Sequence, residues 1–150
     1  MLFVKKILAK IILFLQSYAP YRKLTKFILY RNITFRVTVE ADGYKAVAMK
    51  NNRAIAKVFL GFSDKYSPEG WWLQALGVKV LYRRLGIGRQ LVIRCIDFIK
   101  AQKGACIVFS NVHKDNIASM KLFSGLNFKI MPWPQESLSK TQNRYAYIIK

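Results

Sequence analysis

A short basic segment near the middle of the chain carries the residue types best suited to bind a phosphate ligand. It contains two glycines separated by one residue, with three arginines around them: Gly86, Gly88, Arg83, Arg84 and Arg89. Glycines let the main chain approach a ligand closely because they carry no side chain, and the guanidinium groups add positive charge. This spacing indicates a loop that contacts an anion mainly through its backbone.

The elements on either side of the loop would aim that backbone at a ligand. Trp71–Val80 is apolar and predicts a strand, and the residues after Gly88 predict a helix through about Gln102. The first N–H groups of a helix have no partner within it, and the helix dipole attracts anions there. We therefore expect the N–H groups of Leu85–Arg89 to hold a pyrophosphate. Dinucleotide and nucleoside-triphosphate fingerprints are excluded, because a third glycine at the required offset and a Gly-Lys-Ser/Thr sequence are missing.

Motifs before and after the loop make the pattern more specific. Leu76-x-Val78 precedes Arg83, and a predicted strand at Ala105–Val112 leads to Asn116. The chain here resembles the GNAT superfamily of acyl-CoA-dependent N-acetyltransferases. The family's pyrophosphate loop, Arg/Gln-x-x-Gly-x-Gly/Ala, is matched at Arg83, Gly86 and Gly88, and its later Asn, Leu-Tyr and Gly-Phe segment at Asn116, Leu122 and Phe128. The resemblance covers about Trp71–Lys129, and Arg144–Lys150 would form the last strand.

The resemblance implies a reaction and a set of binding residues. An acetyl or other acyl group would move from acetyl-CoA, or another acyl-CoA, to an amine acceptor, with no metal. Main-chain groups of Leu76–Val78 would polarise the thioester carbonyl and pair with the pantetheine arm. The residues implied to bind the acyl-CoA are Leu76, Val78, Arg83, Arg84, Leu85, Gly86, Ile87, Gly88, Arg89, Asn116 and Phe123. The implied fold is a mixed α/β domain whose mostly antiparallel sheet, flanked by helices, is splayed around the acyl-CoA site.

Three departures from the family pattern leave alternatives open. Phe123 stands where many members have a tyrosine that acts as general acid, Asn127 replaces the glycine of the Gly-Phe pair, and the usual helical region between the first two strands is missing. One alternative is a catalytically silent module that only binds acyl-CoA. A membrane or nucleic-acid adaptor on the same scaffold is another, with nucleic acid disfavoured because the sequence contains no recognisable nucleic-acid module.

No residue stands out as the proton acceptor that attack by an amine requires, so the catalytic residues are left unassigned. Glu69 lies seven positions before Leu76, about 23 Å in an extended strand, which is too far for direct proton abstraction. His113 is expected to be an exposed loop residue. The tyrosines that could supply a hydroxyl, although packing is the favoured role for each, are Tyr82, Tyr145 and Tyr147.

The region before the loop predicts strands joined by short turns. The predicted strands are Ile33–Glu40, Tyr44–Lys50 and Arg53–Phe62, with turns at Ala41–Gly43 and Asn51-Asn52. Ser63–Gly70 is polar and contains a proline, which predicts a loop. This order favours antiparallel pairing without the crossover helices of a doubly wound fold.

Length and composition limit the classes of protein to which the chain can belong. The 150 residues correspond to one ordinary domain, and ten Phe, eight Tyr and three Trp against four Pro exclude a disordered chain. A net charge of +19 should attract an anionic partner. Two cysteines, Cys95 and Cys106, and one histidine can form neither a disulfide framework nor a Cys/His metal site. Unpaired thiols suit a reducing cytoplasm, where we expect the protein to be located.

Residues 1–32 form a basic, amphipathic segment, either part of the domain at 33–150 or appended to it. The longest apolar run, Ile11–Leu15, is too short for a membrane span, and Lys10 and Pro20 argue against a cleaved signal peptide. One interpretation packs this segment on the sheet or on a second copy of the chain, as in a homodimer. The other lays residues 1–31 on an anionic membrane surface, which would make the protein membrane-peripheral. The sequence leaves both open.

Overall fold

The computed structural model describes residues 28–64, 69–132 and 141–150, together with residues 10, 11 and 14. The strands within these residues are β1 (Thr34–Glu40), β2 (Gly43–Lys50), β3 (Arg53–Ser63), β4 (Gly70–Val78), β5 (Cys106–His113), β6 (Lys129–Met131) and β7 (Gln142–Ile149). The helices with described bounds are α1 (Ile87–Lys103) and α2 (Ile117–Ser124), and Val80–Tyr82 forms a 3₁₀ turn.

One sheet contains all seven described strands, in the order β1-β2-β3-β4-β5-β7-β6. Every neighbouring pair is antiparallel except β4 and β5, which run parallel. Parallel neighbours need a crossover connection, and α1 supplies it. The prediction of a mixed α/β domain with a mostly antiparallel sheet is confirmed.

The first three strands are joined by tight turns, as the sequence predicts. Asn51 and Asn52 both have positive φ, 49° and 57°, which is the backbone conformation of a type I′ hairpin turn. Asparagine tolerates this conformation better than most residues with a side chain. Only a two-residue turn separates β1 from β2, so no helical region stands between them, as predicted.

Several predicted boundaries are wrong: the last strand is Gln142–Ile149 rather than Arg144–Lys150, other strand ends differ by one residue, and two differences affect the site. The strand predicted to run to Val80 ends at Val78, because the Tyr82 N–H donates to the Lys79 carbonyl at 2.8 Å and closes the 3₁₀ turn. The loop predicted at Ser63–Gly70 is shorter, because Ser63 and Gly70 pair with each other at the ends of β3 and β4.

The main hydrophobic core lies between α1 and the sheet, and it extends to α2. The residues that α1 buries recur at intervals that share one helix face: Ile87, Leu91, Val92, Cys95, Ile96 and Ile99. They belong to the same buried cluster as Val58 and Leu60 of β3. Burial of this face fixes α1 against the sheet, and with it the position of the helix N-terminus beside the end of β4.

The sheet opens between its two parallel strands. β4 and β5 pair only at Trp71–Val108 and Trp72–Phe109, although β4 continues to Val78. Farther along β4, Ala75 adopts a left-handed φ of 51°, and two residues of β4 lie opposite the single residue Val58 of β3. Such a bulge bends its strand. The far half of β4 therefore has no strand partner on its β5 side within the described residues.

A buried serine closes the point where the opening begins. The Ser110 hydroxyl donates to the Leu73 carbonyl at 3.2 Å, across from β5 to β4. Ser110 is only 4% exposed. The side chain therefore satisfies a carbonyl that the parallel ladder no longer reaches.

Most of residues 1–31 lie outside the described part of the chain, so their membrane or packing role and the division at residue 32 stay predictions. Lys10, Ile11 and Phe14 are helical and exposed. Leu29 and Tyr30, at the end of the segment, pack against the main core. None of the helices that the structure describes is long and apolar enough to cross a membrane.

We expect Ser110→Ala to lower the free energy of unfolding by about 1–3 kcal/mol, because it leaves the Leu73 carbonyl buried without a donor. Urea denaturation followed by circular dichroism measures this loss. Ser124→Ala, at the exposed end of α2, is the matched control and should change stability by less than about 0.5 kcal/mol. Equal stabilities of the two variants would contradict the role assigned to Ser110.

Candidate functional site

The loop before α1 is held by its apolar residues and presents its glycines outward. Leu85 and Ile87 are 3% and 1% exposed and belong to the main core. Gly86, which lies between them, is the N-cap of α1 with φ 83° and ψ 4°. This left-handed conformation favours glycine. Anchoring by the two side chains therefore fixes the backbone of the loop without any ligand.

The backbone N–H groups of this loop are free to bind an acceptor. The first hydrogen bond of α1 runs from the Gln90 N–H to the Gly86 carbonyl, 3.1 Å. Within the described part of the chain, no acceptor contacts the N–H groups of residues 84–89. No side chain caps the helix. The start of α1 thus offers a run of unpaired donors at the positive end of a helix dipole.

Gly88 lies against the two β4 residues that the sequence analysis singled out. A Cβ atom added at Gly88 would stand 3.6 Å from Val78 Cγ2, 3.9 Å from Leu122 Cδ2 and 4.0 Å from Leu76 Cδ1. These are ordinary van der Waals separations, so a small side chain has room at this position. The fold therefore brings Leu76, Val78 and Gly88 together, with Leu122 of α2 as a fourth neighbour.

The peptide groups of Leu76 and Val78 face the opening between β4 and β5. The Lys79 N–H donates to the Ile55 carbonyl of β3 at 2.8 Å. Hydrogen-bonded and non-hydrogen-bonded pairs alternate along an antiparallel ladder, so Val78, paired with Ala56, turns its peptide groups away from β3. Leu76, two residues earlier, does the same. This edge can pair with an extended ligand.

Two of the three arginines also tie the loop to its surroundings. Arg83 Nε donates to the Val78 carbonyl, 3.1 Å, and Arg89 Nη1 donates to the Gly125 carbonyl, 3.1 Å. The second bond joins the start of α1 to the end of α2. Arg84 is exposed, with a left-handed φ of 62°. Each guanidinium has further N–H donors and is always protonated, so all three add positive charge beside the free N–H groups.

The two α2 residues implied by the resemblance differ in their surroundings. Asn116 is the exposed N-cap of α2, and its side-chain oxygen accepts from the Ser119 N–H at 3.1 Å. Phe123 is 3% exposed, with ring centroids of Phe128 and Tyr145 at 5.0 and 5.8 Å. Asn116 therefore has a capping role in the fold, and Phe123 belongs to a buried aromatic cluster.

The residues considered for proton transfer differ in their surroundings. Glu69 is exposed just before β4, and His113 is exposed at the end of β5, where Asp115 contacts its Nδ1 at 3.4 Å. Asp115 orients the imidazole, a partner that the sequence alone did not identify. Tyr147 packs on Phe128 at 5.2 Å. Tyr82 is half-buried, and Tyr145 is buried beside Phe123.

The two thiols are poor nucleophiles. Burial raises the pKa of the Cys95 thiol to about 12 and also raises the pKa of Cys106. The thiolate is the reactive form, so both cysteines stay protonated at neutral pH. Neither can serve readily as a covalent acyl carrier.

The sequence did not reveal three features of the site. The bulge at Ala75 lacks a glycine or proline signal, the Arg89–Gly125 bond joins residues 36 positions apart, and the Ser110–Leu73 bond depends on the register of two strands. Only the arginine loop, with its glycines and its helix start, has a local signature.

Comparison with family models and with curated proteins gives one match. The model of the Acetyltransferase (GNAT) family matches residues 11–128. A search of curated proteins finds no significant match.

Solved structures share the fold at low sequence identity. The ribosomal-protein-S18-alanine N-acetyltransferase of Escherichia coli superposes with a TM-score of 0.59 at 18% identity, over 73% of this chain and 71% of its own. NAA60 of Arabidopsis thaliana, solved with a bisubstrate analogue, gives 0.59 at 18% identity, over 73% and 76%. A Bacillus anthracis protein assigned as a streptothricin acetyltransferase, solved with acetyl coenzyme A, gives 0.60 at 12% identity, over 79% and 84%.

Identities this low establish the shared architecture and leave the substrate open. The family match, in contrast, spans most of the chain, including the loop, the opened strand pair and α2. The chain belongs to the GNAT acetyltransferase family.

Proposed function

We propose that the protein is an N-acyltransferase that moves an acetyl or other acyl group from coenzyme A to an amine. The observation that carries the proposal is the set of free N–H donors at residues 84–89, beside the unpaired edge of β4. Family membership supports the acyl-CoA as donor. The acceptor is an amine of unidentified structure.

The pyrophosphate of the acyl-CoA would bind the N–H groups of Leu85–Arg89, where donors and the helix dipole act on the same anion. The peptide-like pantetheine arm would pair with the exposed edge at Leu76 and Val78. Gly88 would let the phosphates approach the helix start closely. This assignment uses the acyl-CoA-binding residues that the family resemblance implies, and includes Asn116 at the start of α2 and Phe123 in its last turn.

The transfer would form a bond between the amine nitrogen and the thioester carbonyl carbon, and then break the carbon–sulfur bond. The neutral amine attacks, a tetrahedral oxyanion forms, and the coenzyme A thiolate leaves. The amine nitrogen loses one proton and the thiolate gains one. A main-chain N–H that faces the opening, such as that of Val78, would stabilise the oxyanion.

Positioning rather than a dedicated base would supply most of the rate. The described carboxylates and His113 are exposed, so water would accept the amine proton, and holding both reactants in one groove makes the attack effectively unimolecular. A silent acyl-CoA-binding module is the second candidate, favoured by the absence of a hydroxyl on Phe123.

An acceptor screen with acetyl-CoA separates the two candidates, with release of free thiol as the readout. Polyamines, small amines and peptides with a free amino terminus form the panel; structural relatives that act on a protein alanine or bind a bisubstrate analogue support including peptides. Sustained turnover with any amine establishes transfer. Binding of acetyl-CoA without turnover favours the silent module, and loss of both refutes the proposal.

We expect Gly88→Val to lower the affinity for coenzyme A at least about tenfold, because the added methyl groups enter the space meant for the phosphates. Isothermal titration calorimetry measures the change. Ala101→Val makes a comparable change at the exposed far end of α1 and should leave affinity unaltered. If a folded Gly88→Val variant binds as tightly as the wild type, the loop is not the pyrophosphate site.

We expect Phe123→Tyr to raise kcat with little change in the KM for acyl-CoA, because a hydroxyl there could protonate the leaving thiolate. General acid catalysis contributes roughly 10²–10⁴-fold, which bounds the gain. Phe128→Tyr adds the same hydroxyl to the adjacent buried ring and should not raise kcat. An unchanged rate in Phe123→Tyr would mean that water or another group already protonates the thiolate.

We expect a Cys95→Ala/Cys106→Ala variant to keep more than about half of the wild-type turnover, because protonated thiols do not form an acyl-enzyme. Steady-state rates with acetyl-CoA and the best acceptor test this. Melting temperatures show whether a loss arises from the cavity left at Cys95. Abolished turnover in a folded double variant would indicate a covalent intermediate.

A further inference from the structure

A second positively charged site lies next to the loop and shares no residue with the proposed acyl-CoA site. It is a cavity of about 500 Å³ lined by Lys50, Asn51, Arg53, Ile55, Lys79 and Tyr82. Three of these residues are cations and none is a carboxylate. The cavity sits between the β2–β3 hairpin and the 3₁₀ turn that leads into Arg83.

Charges in this cavity lack counter-ions. The ion pairs formed among the described residues are Lys45–Glu40 and His113–Asp115, neither of which touches the cavity. Lys50 Nζ donates to the carbonyls of Ile28 and Leu29, at 3.3 and 2.7 Å. Neither Arg53 nor Lys79 uses its side chain in a hydrogen bond to any described residue. Like charges at close range repel, so a bound anion would stabilise the arrangement.

We propose that this cavity binds a phosphate monoester, and that its occupant is the 3′-phosphate of coenzyme A. The proposal rests on the proposed function. A guanidinium, an ammonium, an amide and a phenol hydroxyl, from Arg53, Lys79, Asn51 and Tyr82, form a donor set suited to a dianionic phosphate.

Connectivity places the cavity within reach of the same ligand. Tyr82 and Arg84 are two residues apart, so their Cα atoms are at most about 7 Å apart. In coenzyme A the 3′-phosphate is separated from the pyrophosphate by only the ribose and its C5′ atom. With a pyrophosphate on residues 85–89, the 3′-phosphate can therefore reach the side of the loop that Lys79 and Tyr82 occupy.

The hairpin turn gives the site a rigid wall. Asn51 follows Lys50 in the type I′ turn, and β3 is tied to the 3₁₀ turn by the Lys79–Ile55 hydrogen bond. Backbone bonds therefore hold the elements that carry Lys50, Arg53 and Lys79 in a fixed relation. A preorganised site loses less entropy when an anion binds.

Calorimetry with coenzyme A and dephospho-coenzyme A, which lacks only the 3′-phosphate, tests the proposal. The wild-type protein should bind coenzyme A about tenfold or more tightly. In the Arg53→Gln/Lys79→Gln variant this preference should fall to about onefold, while affinity for dephospho-coenzyme A stays unchanged. Lys100→Gln/Lys103→Gln, on the last turn of α1, removes the same charge elsewhere and should keep the preference.

A charge-conserving variant shows whether a lost preference for coenzyme A arises from the lost charges or from misfolding. Arg53→Lys/Lys79→Arg should retain most of the preference, and circular dichroism should show the same fold for all variants. If the wild type binds neither ligand, the proposed function fails and the inference fails with it. If the wild type binds both equally, the proposed function stands and only the 3′-phosphate site is refuted.

Sedimentation with lipid vesicles tests whether the cavity binds a nucleotide phosphate or a lipid headgroup. Phosphatidylcholine vesicles with and without phosphatidylglycerol are sedimented with the wild type and the Arg53→Gln/Lys79→Gln variant. The proposal predicts equal sedimentation of the two proteins. A loss of vesicle binding in the variant, with no change in the preference for coenzyme A, would assign the cavity to a headgroup and overturn the proposal.

Discussion

Strands β4 and β5 share only two residue pairs, and beyond them β4 turns away through its extra residue at Ala75. The geometry of the site depends on this divergence of the two strands. The opening frees the edge of β4, and the Ser110 hydroxyl satisfies the carbonyl at its apex. The core face of α1 then places the helix N-terminus at the open end. A fully paired sheet would have no free edge for an extended ligand.

The features that the sequence predicted are those with a local physical cause. Alternating β-branched residues and the Asn51-Asn52 pair specify the hairpins, and Leu85 and Ile87 around Gly86 specify an anchored turn before a helix. The features that it missed depend on contacts between distant segments, such as Arg89 with Gly125. The strand end at Val78 was misjudged because Val80 and Leu81 are as apolar as a strand interior, yet they form a 3₁₀ turn.

The positive charges of the protein act both on the whole surface and at one particular place. Most cations on the described surface have no carboxylate within ion-pair distance, so they raise the potential around the whole domain. The loop arginines and the cavity beside them stand at one end of the sheet, where β4 finishes. A field of this kind increases the encounter rate with anionic ligands and weakens as salt screens it. Charge thus selects the class of ligand, while backbone geometry determines where the ligand lies.

The narrow junction between β4 and β5 has a mechanical consequence. Strands β1–β4 with α1 form one half of the structure and β5–β7 with α2 the other. Two residue pairs, the Ser110 hydroxyl and the Arg89–Gly125 hydrogen bond join the two halves within the described residues. A ligand that hydrogen bonds along the free edge of β4 and packs against β5 would connect these two halves. A bound ligand would then slow amide hydrogen exchange in both halves, because neither half could unfold locally without breaking its contacts to the ligand.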